Sequence, residues 1–226
     1  MARLARVVVP GLAHHVTQRG NRGLETFFGP DDYKAYRSLL ADGCERAGTK
    51  VWAYCLMPTQ VHLILVPKDP DGLRAALGEA HRRYTRRINE RQGWSGHLWR
   101  ERFHSFPFDE AHLAIATRHV ELAPIRARLA RKVHRWPWSS APAHLAGKDD
   151  ELVAVGPLLK RFPDWAAFLA EGLSESELAL VTRHEHSGRP LARPATVTRL
   201  EKKLGRKLKA GKPGRPRKAV AKRKAR

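Results

Sequence analysis

The sequence predicts an α+β fold of the ferredoxin-like type, with an antiparallel sheet that carries helices on one face. Three observations predict it. Strand-like and helix-like segments follow one another in the order β-α-β-β-α-β-α, two adjacent strands are joined by a tight turn, and no internal repeat is present. A chain of 226 residues with 42% hydrophobic residues is long and apolar enough to bury a sizeable core.

The first strands and the first helix can be placed from local patterns. Residues 13–19 predict a short strand, which ends at Gly20 because glycine interrupts a strand pattern. An amphipathic helix is predicted over about residues 32–47, where aspartates open the first turn. Residues 50–56 and 61–66 are predicted to pair as a hairpin across the turn between them.

The remaining elements follow in order. We expect a strongly basic helix over residues 71–91, an aromatic-rich strand over 97–108, and a helix from 109 to about 122 that Pro124 ends. A loop is predicted from 135 to 150. Two short helices are predicted at 164–170 and 174–185. The expected organisation is a core domain (1–130), a loop and helical extension (131–186), and a basic, partly disordered tail (187–226).

Charge and composition limit the function and the compartment. The net charge is +21, and residues 187–226 alone hold sixteen basic residues and one acidic residue. Such an excess favours a polyanionic partner, nucleic acid above all, over a membrane surface. No apolar stretch approaches about 18 residues, and the N-terminal segment lacks a signal-peptide core. With only Cys44 and Cys55, we expect no disulfide framework and a cytoplasmic, nucleoid-associated protein.

Two histidine-containing segments are candidates for chemistry. Gln60 and His62 lie on the same face of a predicted strand that is otherwise apolar, and burying such a pair without partners would cost free energy. An edge strand with one solvated face explains the pair equally well. His119 lies on a predicted helix, where a histidine is usually a surface or capping residue. His184 and His186 are predicted to face solvent, and the twelve histidines form no recognised zinc spacing.

The candidate nucleic-acid contacts are cationic. They lie at the end of the first strand, on the basic helix and in a tail motif, Gly-Arg-Pro-Arg-Lys, that resembles an AT-hook for the narrow minor groove. The candidates are Arg19, Arg82, Arg83, Arg86, Arg87, Arg91, Arg215, Arg217 and Lys218. Trp94 is a possible stacking surface for unpaired bases, whereas Trp99 and Phe103 are predicted to be core residues.

Several long motifs, in order along nearly the whole chain, resemble those of the IS200-like, REP-associated single-tyrosine transposases. They are GLAHHVTQRGNRG (11–23), VWAYCLMPTQVHLILVP (51–67), EAHRRYTRRIN (79–89), GHLWRERFHSFPFDEAHLAIATRHVELAPIRARLA (96–130), WPWSSAPAHLAGKDD (136–150) and SGRPL (187–191). The resemblance implies a ferredoxin-like domain over residues 1–130, often dimeric, that recognises hairpins of single-stranded DNA. It also implies a His-hydrophobe-His strand that holds Mg²⁺ or Mn²⁺, and a helical Tyr that attacks the DNA phosphate to form a 5′-phosphotyrosine.

This sequence departs from the family pattern at three positions that carry the chemistry. In the motif Met-Pro-Asn-His-Val-His, Gln60 stands in place of the first His, and His62 keeps the second. In the motif Arg-Tyr-Val-Glu-Leu-Asn-Pro, His119 stands in place of the nucleophilic Tyr and Ala123 in place of Asn. Glutamine is a weaker ligand than imidazole and alanine offers none, so weak or absent ion binding and impaired cleavage are expected.

Two other hypotheses are compatible with the sequence. The chain could be an active metal-dependent nickase that uses Gln60, His62 and a His119 nucleophile. It could also be an RNA-binding or nucleoid-structuring protein in which the tail dominates, because charge and stacking serve both nucleic acids. The family resemblance favours DNA.

Overall fold

A computed structural model describes residues 5–210 of the chain. The strands are β1 (His14–Arg19), β2 (Lys50–Met57), β3 (Gln60–Val66) and β4 (His104–Pro107). The helices are α1 (Pro30–Arg46), α2 (Gly72–Gln92), α3 (Leu113–Glu121), α4 (Ala123–Arg126), α5 (Ala141–Ala146), α6 (Gly156–Leu159), α7 (Trp165–Ala170), α8 (Glu175–Ser187) and α9 (Pro194–Leu204). Short 3-10 turns occur at Asn21–Gly23, Glu110–His112 and Val133–Arg135.

The four strands form one antiparallel sheet in the order β2-β3-β1-β4. This is the order expected when two strand-helix-strand halves interleave, so the predicted ferredoxin-like fold is confirmed. In the pairing of β1 with β3, His15 lies opposite Ile64 and Thr17 lies opposite His62. The two strands that carry these histidines are therefore central and adjacent.

One face of the sheet is covered by α1 and α2. The strand residues Val16 and Leu63 pack here against Tyr36 and Leu40 of α1 and Leu77 of α2. Each of these side chains is almost completely buried. This apolar layer joins the two long helices to the sheet, as the sequence predicts.

The second face of the sheet is also covered, which the prediction of helices on one face does not include. Ile64 of β3 and Phe106 of β4 pack in one apolar cluster with Val120 of α3, Trp165 of α7 and Val181 of α8. Since strand residues alternate between faces and both sets of β3 side chains are apolar, both faces need a cover. The helical extension provides that cover and packs directly on the sheet.

The aromatic strand is shorter than predicted. Only His104–Pro107 pairs with β1, while residues 97–103 form a loop beside the end of β1. Trp99 bridges to Gly20, and His104 pairs with Thr17. Between these two pairings the chain advances five residues, from 99 to 104, while the partner strand advances only three, from 17 to 20. The two extra residues bulge out of the ladder and end the regular strand.

The beginning of the basic C-terminal segment is folded. Leu200 of α9 and the following Leu208 are buried against Val7 and Val9 near the N-terminus. The AT-hook-like Arg215, Arg217 and Lys218 lie outside the described residues. Among residues 5–210, no helix is long and apolar enough to span a membrane. Both cysteines are free and buried.

The contact between α1 and α2 requires a glycine. A Cβ atom built on Gly43 would lie 2.3 Å from the carbonyl oxygen of Ala76, whereas one built on Gly78 of α2 would meet nothing within 4 Å. We expect Gly43→Ala to lower the free energy of unfolding by about 1–3 kcal/mol through overpacking. The matched control Gly78→Ala should raise it by about 0.5–1 kcal/mol through helix propensity. Denaturant unfolding of both variants checks this, and equal effects would contradict the close approach.

Candidate functional site

Four ionisable side chains converge between the second face of the sheet and its helical cover. His15 comes from β1, His62 from β3, His119 from α3 and Glu185 from α8. Strand alternation directs His15 and His62 to this face, while their neighbours Val16 and Leu63 pack on the other. The fold thus assembles the group from four elements distant in sequence.

The donor atoms of this cluster, which we call the histidine cluster, all lie within 4.8 Å of one another. His119 Nε2 is 3.2 Å from Glu185 Oε1, and His15 Nε2 is 3.1 Å from His62 Nδ1. The Oε1 atom is also 3.6 Å from His15 Nδ1 and 3.9 Å from His62 Nδ1. One carboxylate oxygen therefore faces three imidazoles.

The histidine cluster is almost shielded from solvent. The exposed fraction is 0% for His15, 4% for His62, 6% for His119 and 7% for Glu185. Burial lowers the pKa of His15 and of His119 to about 3 and holds the pKa of His62 well below its ordinary value. The imidazoles are therefore neutral near pH 7, the form in which histidine binds metal ions.

The sequence-predicted metal pair keeps one strong ligand. His62 belongs to the histidine cluster, whereas Gln60, half-buried at the start of β3, offers only an amide oxygen. Ala123 is buried in the apolar cluster of this face and offers no ligand atom. A set of three imidazoles and one carboxylate is not the oxygen-rich set that Mg²⁺ prefers. These residues therefore suit a softer ion than the Mg²⁺ that the resemblance implies.

Sequence reasoning missed two members of the cluster, His15 and Glu185. A local signal existed for Glu185, since it follows the buried Val181 by one helical turn and so shares its inward face. His186 is exposed as predicted, but His184 is half-buried and its Nδ1 donates a hydrogen bond to the Arg189 carbonyl oxygen at 2.9 Å.

The arginines of α2 are mostly paired with carboxylates. Arg82 contacts Glu79, Arg86 contacts Glu90, and Arg83 lies 3.9 Å from Asp42. These are exposed pairs of the kind that contributes little to stability. Arg83, Arg87 and Arg91 line one cleft against α1, whereas Arg82 lies in a different one. The predicted basic helix thus presents cations in two directions.

Arg91 differs from the other predicted DNA contacts. Its guanidinium donates two hydrogen bonds, of 2.5 and 2.8 Å, to the carboxylate of Asp32. Asp32 is 1% exposed and also accepts a hydrogen bond from the Phe28 amide at 2.9 Å. Arg91 therefore has a structural partner that holds α2 to the start of α1.

A cationic cleft of about 810 Å³ lies between α2 and the 96–103 loop. Five arginines line it, of which sequence reasoning singled out only one: Arg6, Arg74, Arg82, Arg100 and Arg102. The loop is held to the sheet because Arg100 N donates to the Arg19 carbonyl at 3.0 Å and Gln18 Nε2 donates to the Glu101 carbonyl at 2.9 Å. We call this feature the arginine cleft.

The cleft continues toward the histidine cluster. A smaller pocket has Arg19, Arg100 and Arg102 in its walls, together with Glu185 of the histidine cluster. Arg19 Nη2 lies 3.6 Å from Glu185 Oε2. A phosphate held by these arginines would therefore lie beside the histidine cluster.

The aromatic residues are mostly in the core. Trp99 and Phe103 are 7% and 5% exposed, which confirms their prediction as core residues, while Trp94 is 47% exposed. Trp94 packs edge-on against Phe28 at 5.8 Å. Tyr84, on the basic helix, is completely buried and donates to the Thr26 carbonyl at 2.6 Å. Burial also raises the pKa of Tyr84, so it is a poor nucleophile.

Comparison with known proteins identifies this arrangement. Residues 9–122, half of the chain, match the family model described as "Transposase IS200 like". The chain belongs to the IS200-like transposase family, whose members are metal-dependent transposases. The structure has a group of residues that could bind a metal ion. A comparison with curated protein sequences finds no match.

Transposases are among the solved structures that are similar to this chain. A REP-associated tyrosine transposase bound to a REP hairpin is 17% identical, with a TM-score of 0.57 over 68% of this chain and 92% of that one. At this identity the likeness concerns the fold. A crystal structure of a candidate transposase from Deinococcus radiodurans R1 is 20% identical, with a TM-score of 0.37 over 60% of this chain and 98% of that one.

Proposed function

We propose that this protein binds hairpins of single-stranded DNA in the arginine cleft and does not cleave them by the family's tyrosine mechanism. The arginine cleft is the observation that carries the proposal, because five guanidiniums on one concave surface form a site for a phosphate backbone. The hairpin in the similar transposase structure supports DNA of this shape as the ligand. The cytoplasm is the compartment we propose for this activity.

The residue at the tyrosine position supports the loss of cleavage. His119 is 6% exposed, its Nε2 atom lies 3.2 Å from Glu185 Oε1, and it is not among the residues that line the arginine-lined pocket. A nucleophile has to reach the phosphorus in line with the leaving oxygen. Buried in this way, His119 fits the role of a partner to Glu185 better than that of the nucleophile in the alternative hypothesis.

Binding should respond to salt and to the cleft arginines. We expect a labelled DNA hairpin with a single-stranded flank to bind with an affinity that falls linearly with salt on a double-logarithmic plot. Changing Arg82 and Arg100 together to Ala should lower the affinity and reduce the slope of that plot by about 2, one for each lost phosphate contact. Fluorescence anisotropy over a salt series measures both quantities.

Three controls make this experiment decisive. Arg131→Ala removes an exposed arginine outside the cleft and should leave the slope unchanged. The same hairpin made of RNA tests the choice of nucleic acid. A chain ended after residue 210 keeps α9 and its contacts, so it removes tail charge without opening the fold. If that shortened chain loses all preference for a hairpin over unstructured DNA, the tail and not the cleft recognises the ligand.

A further inference from the structure

We infer that His15, His62, His119 and Glu185 bind one divalent transition metal ion of the zinc class. The site differs from the family's His-hydrophobe-His pair because it shares only His62 with that pair. His119, at the tyrosine position, and Glu185 supply donors in place of those that Gln60 and Ala123 no longer provide. The inference does not depend on DNA binding.

The distances between the donor atoms fit such an ion. With Zn–N and Zn–O bonds of about 2.0–2.2 Å in a tetrahedron, neighbouring donors lie about 3.3 Å apart. Glu185 Oε1 lies 3.2, 3.6 and 3.9 Å from a nitrogen of His119, His15 and His62, respectively. His15 faces Glu185 with Nδ1, and its other ring nitrogen, Nε2, lies 3.1 Å from His62 Nδ1. Because all four donor atoms lie within 4.8 Å of one another, rotation of the side chains toward a common centre would bring the four residues onto one ion.

The polar atoms of the cluster lack other partners. Within residues 5–210, the buried atoms His15 Nδ1, His119 Nδ1 and Glu185 Oε1 make no hydrogen bond. A buried carboxylate oxygen without a donor is costly. Arg19 approaches only the other carboxylate oxygen, Oε2, at 3.6 Å. A cation at the centre of the cluster would offset this cost and use the lone pairs of the neutral imidazoles.

The chemistry of the donors selects the kind of ion. Imidazole nitrogen suits zinc and its neighbours, whereas Mg²⁺ and Ca²⁺ prefer oxygen. Four protein donors complete a tetrahedral shell and leave no position for water, which is typical of a structural zinc site. The ion would connect β1, β3, α3 and α8, and so fasten the helical cover to the sheet.

The test uses the full-length chain, purified without a histidine tag and freed of metal by a chelator. Titration with Co²⁺ should give the intense visible absorption of a tetrahedral ion, saturating at one ion per chain, and Zn²⁺ should displace it. Zn²⁺ should also raise the melting temperature of the metal-free chain, because only the folded state assembles the site. A chain that gains neither absorption nor stability would overturn the inference and leave a proton shared between His119 and Glu185 as the explanation.

Matched variants assign the ligands. Glu185→Gln and His119→Gln should each weaken Zn²⁺ binding by about a hundredfold or more. Losing a residue that only hydrogen-bonds to a metal ligand already weakens metal binding by up to about a hundredfold, and losing a ligand should cost at least as much. Glu175→Gln, exposed on the same helix, and His134→Gln, an exposed histidine, should leave the affinity unchanged. Equal weakening in the controls would point to adventitious surface binding and overturn the assignment.

If a ligand variant fails to fold, the Co²⁺ spectrum of the native chain still decides the question. Hairpin binding is measured separately and can fail or succeed independently.

Discussion

Incubated with a labelled DNA hairpin and Mn²⁺, the native chain should yield neither nicked DNA nor a covalent protein–DNA adduct on a denaturing gel. The physical reason is the replacement of the tyrosine hydroxyl by the imidazole of His119, which is buried and faces Glu185. Tyr84 cannot substitute for it, because its hydroxyl is buried and engaged with the Thr26 carbonyl. The expected effect is complete loss of the adduct rather than a reduced rate.

The control restores the family residues at all three positions. The triple variant Gln60→His, His119→Tyr, Ala123→Asn should form an adduct on the same DNA, which shows that the hairpin and the ion suffice. Nicking by the native chain would contradict the proposal. In that case, loss of nicking in His119→Ala would identify His119 as the nucleophile, as the alternative hypothesis states.

The second large effect concerns the stability of the fold. We expect Arg91→Ala to lower the free energy of unfolding by about 2–3 kcal/mol, because it leaves the carboxylate of Asp32 buried without its charge partner. The cost lies below the roughly 3–5 kcal/mol of a fully buried pair because the Arg91 side chain is 41% exposed. Arg87→Ala, an exposed neighbour on the same helix, should change the stability by less than about 0.5 kcal/mol.

The effect of Arg91→Ala should depend on pH in a defined direction. Burial alone would raise the pKa of Asp32, but the hydrogen bonds from Arg91 and the Phe28 amide hold it below its ordinary value. A carboxyl with a lowered folded pKa contributes stability above its unfolded pKa of about 3.9, and loses it as the pH falls through the folded value. The difference between native and variant should therefore be full at neutral pH and shrink in acid. A difference that grows in acid would contradict this explanation.

Much of the fold could be predicted from local sequence patterns. The strand alternation, the hairpin turn and the amphipathic first helix identify the ferredoxin-like sheet with boundaries close to those observed. The sequence predicts α7 and α8 as helices, but it does not predict that they cover the second face of the sheet. Periodicity shows that a helix has an apolar side, but it does not show which surface that side will meet.

The candidate site, like the fold, could be predicted only in part from the sequence. The motifs around residues 57–62 and 118–124 determined the family, the position of His62 and the replacement of the tyrosine by His119. Only the tertiary structure placed His15 and Glu185 beside them, because their contacts join residues separated by 47 to 170 positions and depend on the strand register and on the docking of α8. It likewise decided that Arg91 is held by a buried carboxylate. A sequence determines which donor atoms a chain carries, but packing determines which of them share one small volume.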